Sequence, residues 1–302
     1  NMGYNLATMN GMHRHLRLIL FGIILSITCK VPADAGTGVR LAYVYEPGST
    51  YRYKIKQQVK GTRQITGSQP VQIDVELTSI IRLKCNKQLP DGAIEVAVDT
   101  EDEWMKISGK AVYGYRPSKE VRTFQILPSG RTIASSTEGG TTRRRRSGID
   151  FGNVESVILM AIMPETPVDI GATWSSEMPL PLDTKSTLKL AFKLEEIKSL
   201  NGSQLAVIRQ SISTVASEET GEGNSAAKGS QSGEMTLLFD IAKGRLNSAQ
   251  GSIRTQVTRP VEVPSMPGSK SDERFYETVD LTSNLTVEEA PTSVKDPTSQ
   301  AR

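Results

Sequence analysis

Histidine and cysteine carry much of the proton-transfer and metal chemistry available near neutral pH, and their positions here are restrictive. Both histidines, His13 and His15, fall in a stretch that reads as a removable leader, as does Cys29. Beyond it the chain has no histidine and one cysteine, Cys85. That composition excludes Ser-His-Asp and Cys-His catalysis and histidine-based zinc or iron sites. A lone cysteine forms no internal disulfide, and Cys85 sits among the apolar positions of a strand pattern, where it reads as a small buried hydrophobe.

Other spacings imitate active sites without their context. Ser225 and Lys228 have the separation used by serine acyl enzymes, whose serine opens a helix so that lysine follows one turn on. Here the pair lies in an expected Gly/Ser-rich hairpin loop from Glu218 to Gly233, and Ser186 and Lys189 repeat the spacing inside a strand pattern. Gly221-Glu222-Gly223 followed by Ala226 lacks the strand and helix that frame a dinucleotide loop. Glu101-Asp102-Glu103 could touch calcium but has no calcium-loop spacing around it, and reads as a solvated turn. Carboxylate pairs for glycoside hydrolysis come from distant positions, while an aromatic fraction of 5% offers little for stacking sugars. No catalytic, cofactor or metal residue is assigned, and no cofactor is expected.

The run Arg143, Arg144, Arg145 and Arg146 lies between Gly139-Gly140 and Ser147-Gly148. It reads first as a solvated linker and second as a processing site for a basic-site protease. As an anion patch it would be salt-sensitive and blind to base sequence. Net charge is +3. Removal of the leader, with Arg14, Arg17, Lys30 and Asp34, leaves the balance near +1, which gives no general attraction to nucleic acid or anionic membrane.

The leader itself has the three parts of an export signal. His13 to Arg17 is basic, Leu18 to Ile27 is apolar, and Ala33 and Ala35 are the small residues that precede a cut before Gly36. The apolar run falls short of the roughly 20 residues needed to span a bilayer. Cys29 lacks the leucine and small residue expected before a lipidated bacterial cysteine, and Met9 or Met12 is the expected start.

Behind the leader, side chains alternate with period two. Tyr51, Tyr53, Ile55 and Val59 alternate with polar neighbours, and the odd positions from Val71 to Cys85 are apolar except Ser79. Successive strand side chains point to opposite faces, so each run predicts a strand with one dry face. The pattern returns at Leu41-Tyr43-Tyr45, Ile94-Val96-Val98, Leu188 to Leu194, Ile253 to Val263 and Val279 to Val287. Turns are expected at Pro47-Gly48, Asp91-Gly92, Ser129-Gly130, Asn201-Gly202 and Lys243-Gly244, where glycine supplies a positive φ. One run, Val157 to Met163, is apolar all round and stops at Pro164. With Asn153 as N-cap it predicts a short buried helix, a buried strand being the competing reading.

Two halves echo each other in order. Gly48-Ser49-Thr50-Tyr51 matches Gly171-Ala172-Thr173-Trp174, and Leu89-Pro90-Asp91-Gly92 matches Leu200-Asn201-Gly202. Phe124-Gln125-Ile126 with Gly130-Arg131 matches Phe239-Asp240-Ile241 with Gly244-Arg245. Offsets of 123, 110 and 114 between such pairs differ by loop-sized insertions, which points to a duplication.

The segment Tyr45-Glu46-Pro47-Gly48-Ser49-Thr50-Tyr51-Arg52-Tyr53, together with Leu89 to Gly92 and with Pro167-Val168 leading into Gly171 to Trp174, resembles an uncharacterised family of exported bacterial β-rich proteins. The resemblance implies an envelope or secreted location and brings no catalytic residues. The proline-glycine turn and alternating tyrosines are also faintly similar to the N-terminal β module of large lipid-transfer proteins, whose long helical domain and cysteines have no counterpart here.

The sequence therefore predicts an all-β protein of two tandem curved antiparallel sheet modules, half-barrel or sandwich-like, with one short apolar helix between them. The expected boundaries are a signal peptide over 1–35, module 1 over 36–140, the basic linker and helix over 141–165, module 2 over 166–289 and a disordered tail over 290–302. A single large sandwich or barrel is the runner-up. The expected role is a non-catalytic exported envelope protein, periplasmic or secreted, that binds an apolar ligand or lipid on a concave sheet face. The alternative is a structural or protein-interaction module. Nucleic acid is not an expected partner, and the mature chain has no expected transmembrane segment.

Overall fold

A computed structural model describes residues 38–112, 120–138, 161–180, 183–215, 228–261 and 275–291. These residues form twelve strands and no helix. The first six are β1 (Thr50–Ile65), β2 (Val71–Gln88), β3 (Ile94–Ile107), β4 (Lys110–Ala111), β5 (Val121–Ile126) and β6 (Thr132–Glu138). The others are β7 (Thr173–Leu180), β8 (Asp183–Leu200), β9 (Ser203–Val215), β10 (Lys228–Asp240), β11 (Arg245–Val261) and β12 (Phe275–Glu289).

The strands join in one open antiparallel sheet of order β6-β5-β3-β2-β1-β12-β11-β10-β9-β8-β7, with β4 alongside β3. The all-β antiparallel expectation is met, but the two halves are one sheet rather than two. β12 returns beside β1, with Ile55 opposite Val287, and this long ladder covers an edge that each half would otherwise expose.

The predicted alternation is the observed one. Tyr53, Ile55, Val59, Val75, Leu77, Ile81, Leu83 and Cys85 are buried, whereas Lys56, Lys60, Arg82 and Lys84 on the other face are exposed. All five expected turn glycines have positive φ, and Asn201 (φ 51°) with Gly202 (φ 81°) forms the tight two-residue link between β8 and β9.

The turns at Gly48 and Gly171 make similar pairs of hydrogen bonds. Gly48 N–H donates to Cys85 O and Cys85 N–H to Ser49 O; Gly171 N–H donates to Leu194 O and Leu194 N–H to Ala172 O. The register slips after Cys85 in one half and after Leu194 in the other. Each bulge bends its strand at the equivalent place.

Three expectations change. Leu41, Tyr43 and Tyr45 are buried alternately, as the pattern requires, yet they belong to no strand. Their segment is a strap whose backbone bonds to turns, and Val39 makes one isolated bridge with Val168. The loop expected over Glu218 to Gly233 is shorter, because β10 already begins at Lys228. Of the expected helix, residues 154–160 lie outside the described residues; Ala161 and Met163 are buried but not helical, since Met163 N–H is taken by Ser129 O.

The strap shows how far the sheet curls. Tyr43 N–H donates to Pro128 O in the β5–β6 turn (2.7 Å), and Val44 N–H to Gly244 O in the β10–β11 turn (2.8 Å). In a flat sheet those turns would stand six strand spacings apart, roughly 30 Å. Two consecutive residues reach both, so the carbonyls lie within about 9 Å of each other. Only a sheet rolled at this end brings them together. Close strand approaches assist the bend: a β-carbon on Gly233 would lie 2.4 Å from Ser252 O, and one on Gly251 2.2 Å from Glu234 O.

Candidate functional site

The inner face of the roll has a sealed base, and its far end, where Val71 and Ile107 reach solvent, is its mouth. At the base, Tyr43 stacks on Tyr45 and meets Phe239 edge-on, with centroids 5.7 and 5.3 Å apart. The Tyr43 hydroxyl donates to Ala161 O (3.0 Å), and Trp174 Nε1–H to Ile162 O (2.7 Å), tying both crossing segments down. Burial pushes the phenols of Tyr43, Tyr45 and Tyr53 well above the ordinary tyrosine range, with neighbouring phenols adding in the same direction. Tyr43 and Tyr53 act as packed, neutral hydrogen-bond donors, to Ala161 O and Leu246 O.

Towards the mouth the same face continues as a smaller cluster of Val59, Val75, Val279 and Leu281. Polar groups separate it from the base: Gln57 Nε2 donates to Ser283 Oγ (2.8 Å), and buried Ser79 donates to Glu103 (3.3 Å). Gln210, 1% exposed, faces inward between Phe192 and Met235, and its Nε2 has no hydrogen-bond partner. At the rim, Val71 is 62% and Ile107 48% exposed. An apolar surface thus begins dry and ends in solvent.

Three charged residues interrupt that surface near the mouth. Glu277 on β12 is fully buried and accepts from Arg63 Nε on β1 and Arg259 Nε on β11. Arg259 stands directly opposite Glu277, and Arg63 is diagonal to it. Burial alone would raise the Glu277 pKa, but the hydrogen bonds and charge of Arg259 and Arg63 outweigh it and hold the carboxyl below its usual range. Sequence reasoning missed this group. Its signal is parity, since Arg63, Arg259 and Glu277 occupy dry-face positions in line with Val59, Val257 and Val279.

The outer face is wet. Arg52 pairs with Glu101 (2.7 Å), Arg82 with Asp99 and Arg254 with Asp280, the last two through two guanidinium nitrogens each. A shallow groove of about 420 Å³ lies there over Gly251, bordered by Arg209, Glu234, Gln250 and Asn284.

The sequence candidates fall apart in space. Glu101-Asp102-Glu103 lies in β3 rather than a turn, because a bulge near Ile80 turns Glu101 outward to Arg52 and Glu103 inward to Ser79. No cluster of three metal-ligating side chains occurs among the described residues. Lys189 is in β8 and Lys228 opens β10. Ala33, Ala35, Gly36, Arg143 to Arg146 and Ser225 lie outside the described residues. Among those described, no helix is long and apolar enough to cross a membrane.

No family model matches the chain, and no curated protein does. Among solved structures, one of lipovitellin, described for its lipid–protein interactions, is similar at 8% identity and a TM-score of 0.42. The match covers 84% of this chain and 27% of that one, so this chain spans about a quarter of its length. A LolA-superfamily protein from Nitrosomonas europaea is similar at 9% identity and a TM-score of 0.15, over 82% of this chain and 90% of the other.

Proposed function

We propose that this protein is a non-catalytic, exported carrier that binds an apolar ligand, foremost a lipid, on the concave face of its sheet. One observation carries the reading: an apolar inner face, crossed by a polar band at Gln57 and Ser79, is sealed at one end by the Tyr43 strap and leaves Val71 and Ile107 exposed at the other. Burying about ten methylenes there is worth roughly 8 kcal/mol gross, which sets micromolar affinity as the ceiling before ordering costs are subtracted. Export, to a periplasmic or extracellular place, is supported by the leader ending at Ala33 and Ala35. The matched hydrogen bonds at Gly48 and Gly171 support an ancestral duplication now merged into one sheet.

A second reading, a protein-interaction module, is supported by edge strand β6, whose Ile133 is 46% exposed. Native mass spectrometry of the purified protein separates the two. A carrier retains lipid-sized adducts that gentle activation releases. Adduct-free spectra together with no uptake of added lipid would end the carrier reading.

A further inference from the structure

We infer that Arg63 and Arg259 form the headgroup site for an anionic lipid whose chain enters at the mouth beside exposed Val71 and half-buried Val257; this rests on the lipid-binding reading above. A guanidinium carries five N–H donors. Arg63 and Arg259 each spend one, the Nε–H, on Glu277, and neither makes another hydrogen bond to the described residues. Arg82 and Arg254, on the outer face, close two-pronged forks on a carboxylate of their own. Among the described residues, the mouth arginines therefore keep their terminal amino groups unspent.

Charge points the same way. One arginine would neutralise Glu277; with two, these three side chains sum to +1. The carboxylate is fully buried, while Arg63 and Arg259 are 42% and 37% exposed, so the excess charge faces the mouth. Glu277 positions the two forks and withholds itself from solvent. Beside them stand the buried Val279 and the half-buried Val257, with exposed Val71 opposite Arg63. Apolar wall beneath and paired guanidinium donors above are what a carboxylate- or phosphate-headed amphiphile requires. A neutral lipid would leave the donors unmatched.

Two fluorescent probes of equal chain length test this: 11-(dansylamino)undecanoic acid and its methyl ester. The acid should bind about tenfold more tightly than the ester, a gap that charge-assisted hydrogen bonds can supply. Arg63→Gln or Arg259→Gln, each leaving Glu277 one guanidinium, should bring the acid down to the ester's affinity and leave the ester unchanged. Where a single variant fails to fold, the neutral triple Arg63→Gln, Glu277→Gln, Arg259→Gln takes its place. Equal affinities in the unaltered protein, or parallel losses for both probes, would overturn the headgroup site while leaving apolar binding intact. Displacement of the acid by millimolar inorganic phosphate, with the ester undisturbed, would assign a free-anion site instead and overturn the lipid assignment. Failure of both probes to bind would remove the carrier reading itself.

Discussion

Tyr43 lies against Gly130 so closely that a β-carbon on the glycine would stand 2.6 Å from the tyrosine ring and 2.7 Å from Ala161 O. Gly130 has φ 85° and Gly92, in another turn, φ 83°, but nothing lies within 4 Å of a β-carbon at Gly92. The pair separates backbone strain from close packing.

Gly92→Ala should cost about 1 kcal/mol, the penalty of a left-handed backbone. Gly130→Ala should cost about 3 kcal/mol, because the ring and the Ala161 carbonyl must also move. Urea denaturation of both variants measures the difference; equal losses would show that the strap is not pressed on the turn.

Acid should weaken the fold through Glu277. Its folded pKa lies below the 4.5 usual for a glutamate, so the ionised form is favoured by folding. That stabilisation is fully present above about pH 4.5 and is lost as pH falls through the folded value. Glu277→Gln should lower stability at pH 7 and flatten its dependence on pH below 4.5. Asp280 and Asp240, also held below their usual range, supply the slope that remains. An unchanged acid profile would deny Glu277 this part.

Gln210 buries an amide donor without a partner. Such a group costs roughly 1–3 kcal/mol, whereas methionine has similar length and no donor to satisfy. Gln210→Met should be neutral or stabilising by up to about 1 kcal/mol, read as a shift in the denaturation midpoint. A clear loss of stability would mean the amide is hydrogen-bonded in solution.

Cys85 is 1% exposed, and burial raises its thiol pKa. Thiol reagents react through the thiolate, so the native protein should resist Ellman's reagent and react fully once unfolded. Rapid reaction of the folded protein would show that the base of the roll opens.

Much of the fold was legible because strand geometry is local. A side chain's face follows from the parity of its position, so Tyr53, Ile55, Leu83 and Leu190 could be placed on the dry side before any partner was known. Turn glycines were equally legible, since positive φ is a property of single residues. The same parity rule misplaced Leu41-Tyr43-Tyr45 in a strand, because alternate burial also occurs in an extended strap whose hydrogen bonds go to turns.

By itself, then, the amino-acid order determined which face of each strand is dry, where the chain turns, and that no histidine follows His15. Tertiary structure alone decided that β12 closes against β1, so that two sequence halves share one sheet. It alone brought Glu277 between Arg63 and Arg259, residues up to 214 positions apart. The reason is physical. Facing and turning are set within a few residues, whereas strand pairing is chosen among distant segments of nearly equal pattern by the total burial it achieves.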